Sequence, residues 1–197
     1  DAPGADLATR AGIIVAENRI YKSSSLGYDL QFSNIQARNG IDSVAINETG
    51  DLVSAITRYP TARTQAAASA SIDIYRSSSA GWALEAELTG ALDTKTTNQI
   101  KGLFFSGSSI VYQNGKNVGW YASSSLSGWV RNSSSFPGFF FGLNNNDNGM
   151  PYDPSTGKAL AVDLSVIKII QYDSSSSSWV QSGSYSLNLN DGHDGDV

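Results

Sequence analysis

The 197-residue chain contains no cysteine, which excludes a disulfide framework and any thiolate metal site. It has one histidine and one methionine. The histidine, His193, lies in the polar terminal stretch Asp191-Gly-His-Asp-Gly-Asp196, the kind of segment that frays. A Ser-His-Asp triad would have to be built on it, so no catalytic residue is assigned. Charged residues make up 16% of the sequence, against about 25% in ordinary globular domains. The net charge of −5 comes without a basic stripe, and no nucleic-acid partner is expected. No apolar run approaches the ~20 residues of a membrane-spanning helix. Asp1-Ala-Pro-Gly-Ala-Asp6 is too polar for a signal peptide, and a start at Asp suggests a processed or trimmed chain.

Serine, glycine and asparagine fill the space that charge leaves, and the serines are organised. One phrase recurs four times: Tyr21-Lys-Ser-Ser-Ser-Leu-Gly-Tyr28, Tyr75-Arg-Ser-Ser-Ser-Ala-Gly-Trp82, Tyr121-Ala-Ser-Ser-Ser-Leu-Ser-Gly-Trp129 and Tyr172-Asp-Ser-Ser-Ser-Ser-Ser-Trp179. From tyrosine to closing aromatic the step is 7, 7, 8 and 7 residues, and successive tyrosines lie 54, 46 and 51 residues apart. A unit recurring about every fifty residues is the signature of a repeat fold.

Each phrase reads as a β-hairpin. Ile72-Asp-Ile-Tyr75 and Val166-Ile-Lys-Ile169 alternate apolar with charged residues, as a half-buried strand does. Trp82-Ala-Leu-Glu-Ala-Glu-Leu88 alternates again and returns, with Glu85 and Glu87 facing solvent. The serines make the turn, where hydroxyls bond the local backbone, and the tyrosine is expected to face the closing aromatic across the hairpin. A second strand pair precedes each hairpin: Ser43–Asn47 with Asp51–Ile56, Leu103–Ser106 with Ile110–Tyr112, and Phe139–Phe141 with Ala159–Val162. In the first unit only Gly12-Ile-Ile-Val15 represents it. Arg63–Ser71 is alanine-rich but lacks an apolar stripe and reads as a loop, so no helix is expected. The expected class is therefore all-β: a β-propeller-like repeat of about four blades of antiparallel strands, in one domain over 1–197, with units at 7–34, 41–90, 100–132 and 138–190. A β-sandwich or jelly roll is the alternative, but it needs no hairpin recurring at fixed phase.

Residues 43–88, from Ser43-Val-Ala-Ile-Asn-Glu-Thr-Gly-Asp-Leu-Val53 to Ile72-Asp-Ile-Tyr-Arg-Ser-Ser-Ser-Ala-Gly-Trp-Ala-Leu-Glu-Ala-Glu-Leu88, resemble the repeats of integrin-α-type (FG-GAP-like) β-propellers and related secreted propellers. The third and fourth units match loosely, and the first only in its second half. Four units is fewer than the six or seven usual in that group, so the chain either closes a small ring, is a fragment, or is completed by another chain, a homo-oligomer included. The resemblance implies calcium in a loop of the form D-x-[DN]-x-[DN]-G-x-x-D. Here Asn144, Asn146, Asn148 and Gly149 take the first four places, Asp147 falls between ligand positions, and Asp153 comes one place late, a poor set for an ion that prefers anionic oxygens.

The candidate ligand residues are Arg58, Tyr59, Trp120 and Tyr152. Trp82, Trp129 and Trp179 share one phase and read first as packing residues. Trp120 breaks that phase, and an exposed ring can stack on the apolar face of a sugar. The loop 57–63 brings two arginines and a tyrosine into a segment with nothing apolar to bury. Asn47-Glu-Thr49 and Asn132-Ser-Ser134 have the pattern of glycosylation acceptors. These features favour an extracellular or cell-surface binding module of lectin type, with a glycan or glycoprotein as ligand. A structural or adhesion module is the second reading. A glycoside-active enzyme ranks last, since none of the 18 acidic residues pairs with another by spacing.

Overall fold

The computed structural model of the chain describes residues 8–16, 18–35, 41–58, 70–89, 100–114, 117–135, 152–163 and 166–186. The secondary structure there is all strand and turn. Four antiparallel meanders follow one another, and each is a four-stranded sheet whose strands lie side by side in chain order. Blade 1 holds β1 (Ala8–Arg10), β2 (Ile13–Ala16), β3 (Arg19–Ser24) and β4 (Gly27–Phe32). Blade 2 holds β5 (Ile41–Ile46), β6 (Leu52–Arg58), β7 (Ala70–Ser78) and β8 (Gly81–Leu88). Blade 3 holds β9 (Ile100–Ser106), β10 (Ser109–Asn114), β11 (Asn117–Ser124) and β12 (Gly128–Ser135). Blade 4 holds β13 (Tyr152–Asp153), β14 (Lys158–Asp163), β15 (Val166–Asp173) and β16 (Ser178–Ser186). Separate four-stranded sheets, rather than two large sheets in one sandwich, make the arrangement propeller-like.

The blades stack face to face, and the side-chain alternation of each strand sorts residues between a forward face, toward the next blade, and a rear face. Ile13, Val15 and Ile20 on the forward face of blade 1 pack on Ile46, Val53, Ala55, Tyr75 and Trp82 at the rear of blade 2. Leu52, Ile56, Ile72, Ile74 and Leu88 on the forward face of blade 2 meet Leu103, Phe105, Ile110, Tyr112 and Tyr121 of blade 3. Phe104, Val111, Val118 and Trp120 meet Ala159, Ile170 and Trp179 of blade 4. Among the described residues no core cluster joins blade 4 to blade 1. Burying each of these large side chains contributes about 1.5–3 kcal/mol.

Packing on both faces explains three departures from the sequence reading. First, the middle strands are not half-buried: Leu52 through Ile56 and Ser71 through Tyr75 are buried without a break. Asp73, in Ile72-Asp-Ile-Tyr75, is therefore an interior residue and accepts a hydrogen bond from the Ser71 hydroxyl at 2.8 Å. Second, blade 1 does have a separate first strand, β1, which pairs with β2 from Ala8↔Val15 to Arg10↔Ile13. Its short polar sequence Ala-Thr-Arg carries no apolar signal. Third, in blade 4 the strand beside β14 within the described residues is β13, while Phe139–Phe141 and most of Arg63–Ser71 lie outside them.

The aromatic pairing also differs. Tyr172 faces Trp179 directly, but Tyr21, Tyr75 and Tyr121 face Leu30, Leu84 and Arg131, and the closing aromatics face Ser23, Ser77 and Ser123. The reason is turn length. The hairpin tips hold two, two, three and four residues in blades 1 to 4, and tip length sets register. In all four blades the tyrosine and the closing aromatic nonetheless share the rear face.

Blade 4 contains the same four-residue turn twice. Asp153 Oδ1 accepts from the Ser155 amide at 2.9 Å and the Ser155 hydroxyl at 2.7 Å, and Oδ2 accepts from the Thr156 hydroxyl at 2.8 Å. Asp173 does the same with Ser175 (3.0 and 2.8 Å) and Ser176 (2.8 Å). These bonds, with the Ser155 and Ser175 hydroxyls first, hold both carboxyls below their ordinary pKa. The last turn residue is left-handed in each, Gly157 at φ 67° and Ser177 at φ 50°. A left-handed residue with a Cβ is disfavoured by about 1 kcal/mol, so Ser177→Gly is expected to raise stability by about that much in chemical denaturation. A lower midpoint would mean that the serine side chain earns its place.

Candidate functional site at the junction of blades 2 and 3

The rim between blades 2 and 3 gathers a polar cluster of two carboxylates, a guanidinium and an indole. Arg76 follows the repeat tyrosine on β7 and projects from the forward face of blade 2. Glu85 lies on β8 where the register shifts between Ile74 and Tyr75: Ile74 pairs with Ala86 and Tyr75 with Leu84, leaving Glu85 as the extra residue of a β-bulge. Bulges re-aim a side chain, and this one turns Glu85 toward Arg76 and blade 3. The guanidinium grips the carboxylate two-fold, Nε donating to Oε2 and Nη2 to Oε1, the latter at 3.2 Å. From β12 the Trp129 indole Nε1 donates to Glu85 Oε1 at 3.0 Å, while its ring packs on the core between the two blades. Arg76 Nη1 also lies 3.5 Å from Asp51 Oδ2 in the β5–β6 turn.

Electrostatics follow from these contacts. Glu85 is held below its ordinary pKa chiefly by the Arg76 hydrogen bond, with help from Trp129. Asp51 is held low by the hydroxyl of Thr49 and the amide of Asn47, and the Arg76 pKa is raised chiefly by Glu85. The cluster is thus one cation between two carboxylates, each held in its ionised form, beside an indole. The side chains are partly open, with 43% of Arg76 and 27% of Glu85 exposed. These groups are bonded to one another, and the partly open guanidinium and carboxylate keep further hydrogen-bonding capacity toward solvent. The set holds no protonated carboxyl to serve as an acid.

The same place in the other junctions is chemically weaker. Lys22 and the bulged Gln31 stand there on blade 1. On blade 3, Ala122 replaces the arginine and β12 pairs with β11 without a bulge.

The structure does not gather the residues singled out from sequence. Trp120 is buried, 5% exposed, edge-on to Tyr172 at 6.4 Å between blades 3 and 4; a sugar could stack on it only if those blades parted. Tyr152 is half-buried, stacked on Phe104 at 4.4 Å, with its hydroxyl 2.9 Å from the Ser106 hydroxyl. Arg58 ends β6, its backbone opposite Ala70. Tyr59, Asn144, Asn146, Asp147 and Asn148 lie outside the described residues. Asp153, the remaining calcium candidate, spends both carboxylate oxygens on its own turn, a poor fit to an ion that takes six to eight oxygen ligands. Sequence reasoning placed Glu85 facing solvent, and the residue is exposed; what strict alternation hid is the bulge that turns its carboxylate to Arg76 and Trp129. The available signal was Arg76 and Glu85, opposite charges flanking one hairpin turn.

No protein-family model matches the sequence, and no curated protein matches it. Solved structures do match. Over 95% of its length the chain superposes on a Lactobacillus plantarum protein with a TM-score of 0.60 at 12% identity. It superposes on Hsv2 from Kluyvelomyces marxianus over 92% of its length, with a TM-score of 0.54 at 15% identity. Hsv2 from Kluyveromyces lactis gives 0.54 at 11%, also over 92%. The fold is that of a β-propeller. At these identities the likeness extends to fold alone. The propeller formed here spans 57%, 58% and 62% of those three proteins, less than two thirds of their length. Four blades at a share of 57% correspond to a ring of about seven equal blades.

Proposed function

We propose that the chain is a carbohydrate-binding module of an extracellular or cell-surface propeller, and that its ligand site is the junction of Arg76, Glu85, Asp51 and Trp129. The observation that carries this reading is the Trp129 indole bonded to a carboxylate that a guanidinium already grips from the neighbouring strand. Planar charged groups offer the paired hydrogen bonds that vicinal hydroxyls make, and the rim of an indole supplies an apolar surface for the sugar ring. The low carboxyl pKa values support binding over acid-catalysed hydrolysis, which needs one carboxyl kept protonated. The resemblance of residues 43–88 to integrin-α-type repeats supports a surface role.

A glycan array, run with calcium and again with chelator, tests this. Binding is expected in both conditions, because the Arg76 guanidinium already sits between the two carboxylates. Glu85→Gln and Trp129→Phe, which keep shape but remove the charge and the indole N–H, are expected to weaken affinity about tenfold, or 1.4 kcal/mol. If the wild-type chain binds no glycan, or if both variants bind as tightly as it does, the proposal fails.

A further inference from the structure

The rim cluster carries more negative charge than positive. The carboxylates of Glu85 and Asp51 share one cation, Arg76, and both are held below their ordinary pKa, which leaves one negative charge in excess at neutral pH. Neighbouring groups do not cancel it. Glu48, in the same β5–β6 turn, pairs with Arg10 of β1 at 3.8 Å. Arg131 stands on the Trp129 side of β12 opposite Tyr121, but it bonds the Tyr112 hydroxyl. Among the described residues, the charges that act on Glu85 are those of Arg76 and Asp51. The surplus extends to hydrogen-bond acceptors. Asp51 Oδ1 takes the Asn47 amide and the Thr49 hydroxyl, and Glu85 Oε1 takes Arg76 Nη2 and the indole. The second oxygen of each carboxylate is less engaged: Asp51 Oδ2 lies 3.5 Å from Arg76 Nη1, and Glu85 Oε2 accepts from Arg76 Nε. A carboxylate offers about four lone-pair sites, so both keep acceptor capacity, and Asp51 is open, with 46% of its side chain exposed. On the donor side, Nε, Nη1 and Nη2 of Arg76 each already face one of these carboxylates.

We infer that this site selects sugars bearing a free, protonated amine over N-acetylated and acidic ones. The inference rests on the carbohydrate reading above and names the ligand class within it. An ammonium group is all donor and no acceptor. It therefore matches the two less engaged oxygens, Asp51 Oδ2 and Glu85 Oε2, in charge and in hydrogen-bond type, and its arrival leaves the cluster neutral. N-acetylation removes that charge, reduces the nitrogen to a single donor and adds a carbonyl acceptor, for which the occupied guanidinium has little left to give. A sugar carboxylate fares worst, since it would bring a third carboxylate to a guanidinium already divided between two. Rejection by like charge is as much a source of specificity as attraction. Trp129 offers the same apolar edge to all three kinds of ring, so it adds affinity without choosing among them.

Titration calorimetry with oligomers of glucosamine, of N-acetylglucosamine and of a hexuronic acid, matched in length, reads this choice at a pH where the amine is protonated. The glucosamine oligomer is expected to bind about tenfold more tightly than the acetylated one, and the acidic oligomer to bind most weakly. Raising the salt concentration should narrow the tenfold ratio in the wild-type chain. Asp51→Asn keeps the shape of the turn and removes the excess charge, and it is expected to bring the first two affinities together. Trp129→Phe should lower both alike. Glu87→Gln removes one charge on the other face of β8, opposite Asp73, and is expected to preserve the ratio. That control separates recognition at the rim from general attraction of a polycation to a chain of net charge −5. Circular dichroism melting verifies that each variant is folded. The inference is overturned, with the carbohydrate reading intact, if the acetylated or acidic oligomer binds as tightly as the amine. It is equally overturned if the ratio ignores salt, survives Asp51→Asn or vanishes in Glu87→Gln, or if the chain binds glycans on the array but none of these three. A chain that binds no glycan at all fails at the reading beneath it.

Discussion

Gly119→Ala is expected to destabilise the protein by about 1–3 kcal/mol, lowering the melting temperature by roughly 2–12 °C for a chain of this length. Gly119 lies on β11 directly opposite Tyr112, and the tyrosine ring lies flat over it. A Cβ at that position would sit 2.3 Å from Tyr112 Cζ and 2.4 Å from its hydroxyl oxygen, far inside van der Waals contact. The ring has nowhere to go. It is 1% exposed, packed in the core between blades 2 and 3 and stacked on Tyr121 at 5.7 Å with an interplanar angle of 28°. Burial is tight enough that the Tyr121 hydroxyl is pushed up to about 12. A double-mutant cycle isolates the cause: on a Tyr112→Leu background the added methyl meets a shorter side chain, and most of its cost should vanish. An alanine variant with the wild-type denaturation midpoint would show that the ring does not cover this glycine.

The second large effect is expected at Asn47→Ala, at about 2–4 kcal/mol. Asn47 is 8% exposed and ties the β5–β6 turn together with both ends of its amide. Its Oδ1 accepts from the Asp51 and Leu52 backbone amides at 3.0 and 2.9 Å, and its Nδ2 donates to Thr49 Oγ1 at 2.9 Å and Asp51 Oδ1 at 2.7 Å. Truncation strands those partners. The penalty should also depend on pH. Because the folded-state pKa of Asp51 is depressed, its contribution is present above the ordinary carboxylate pKa and is lost as pH falls through the folded value. The gap between wild type and variant should therefore narrow from neutral pH into acid, as measured by denaturation at each pH; a gap that widens contradicts the assignment. The same bonds make Asn47 a poor acceptor for an attached glycan, since its Nδ2 is already committed. Asn132 on β12 is exposed, and among the described residues its Nδ2 donates to the Val130 carbonyl at 3.3 Å.

The repeated phrase made the fold legible because tyrosine, serine turn and closing aromatic occupy fixed places in each blade. What it could not convey was neighbourhood. Trp120 and Trp129 are both tryptophans beside glycine in strands of one sheet, yet the first is locked between blades 3 and 4 and the second reaches the polar rim of blade 2. Which role each plays depends on the face it takes and on the blade beyond it, information that resides in packing between segments some fifty residues apart. The bulge at Glu85 was equally hidden. One extra residue in a strand leaves composition and hydrophobic pattern almost unchanged while redirecting a carboxylate. Asp73 misled for the opposite reason, since a charged residue in an alternating run signals solvent only where the sheet has an open side.

The unequal hairpin tips have a practical consequence. Tips of two, three and four residues occur in one chain, and in every case the aromatic after the tip returns to the same side of its sheet. The outer hairpin thus tolerates length changes at its end that an inner strand, paired on both edges, would transmit to two neighbours. A peptide epitope or fluorophore-binding tag spliced into the four-residue tip at 174–177 would be displayed away from the stacked sheets, giving an attachment point that leaves the rim cluster free.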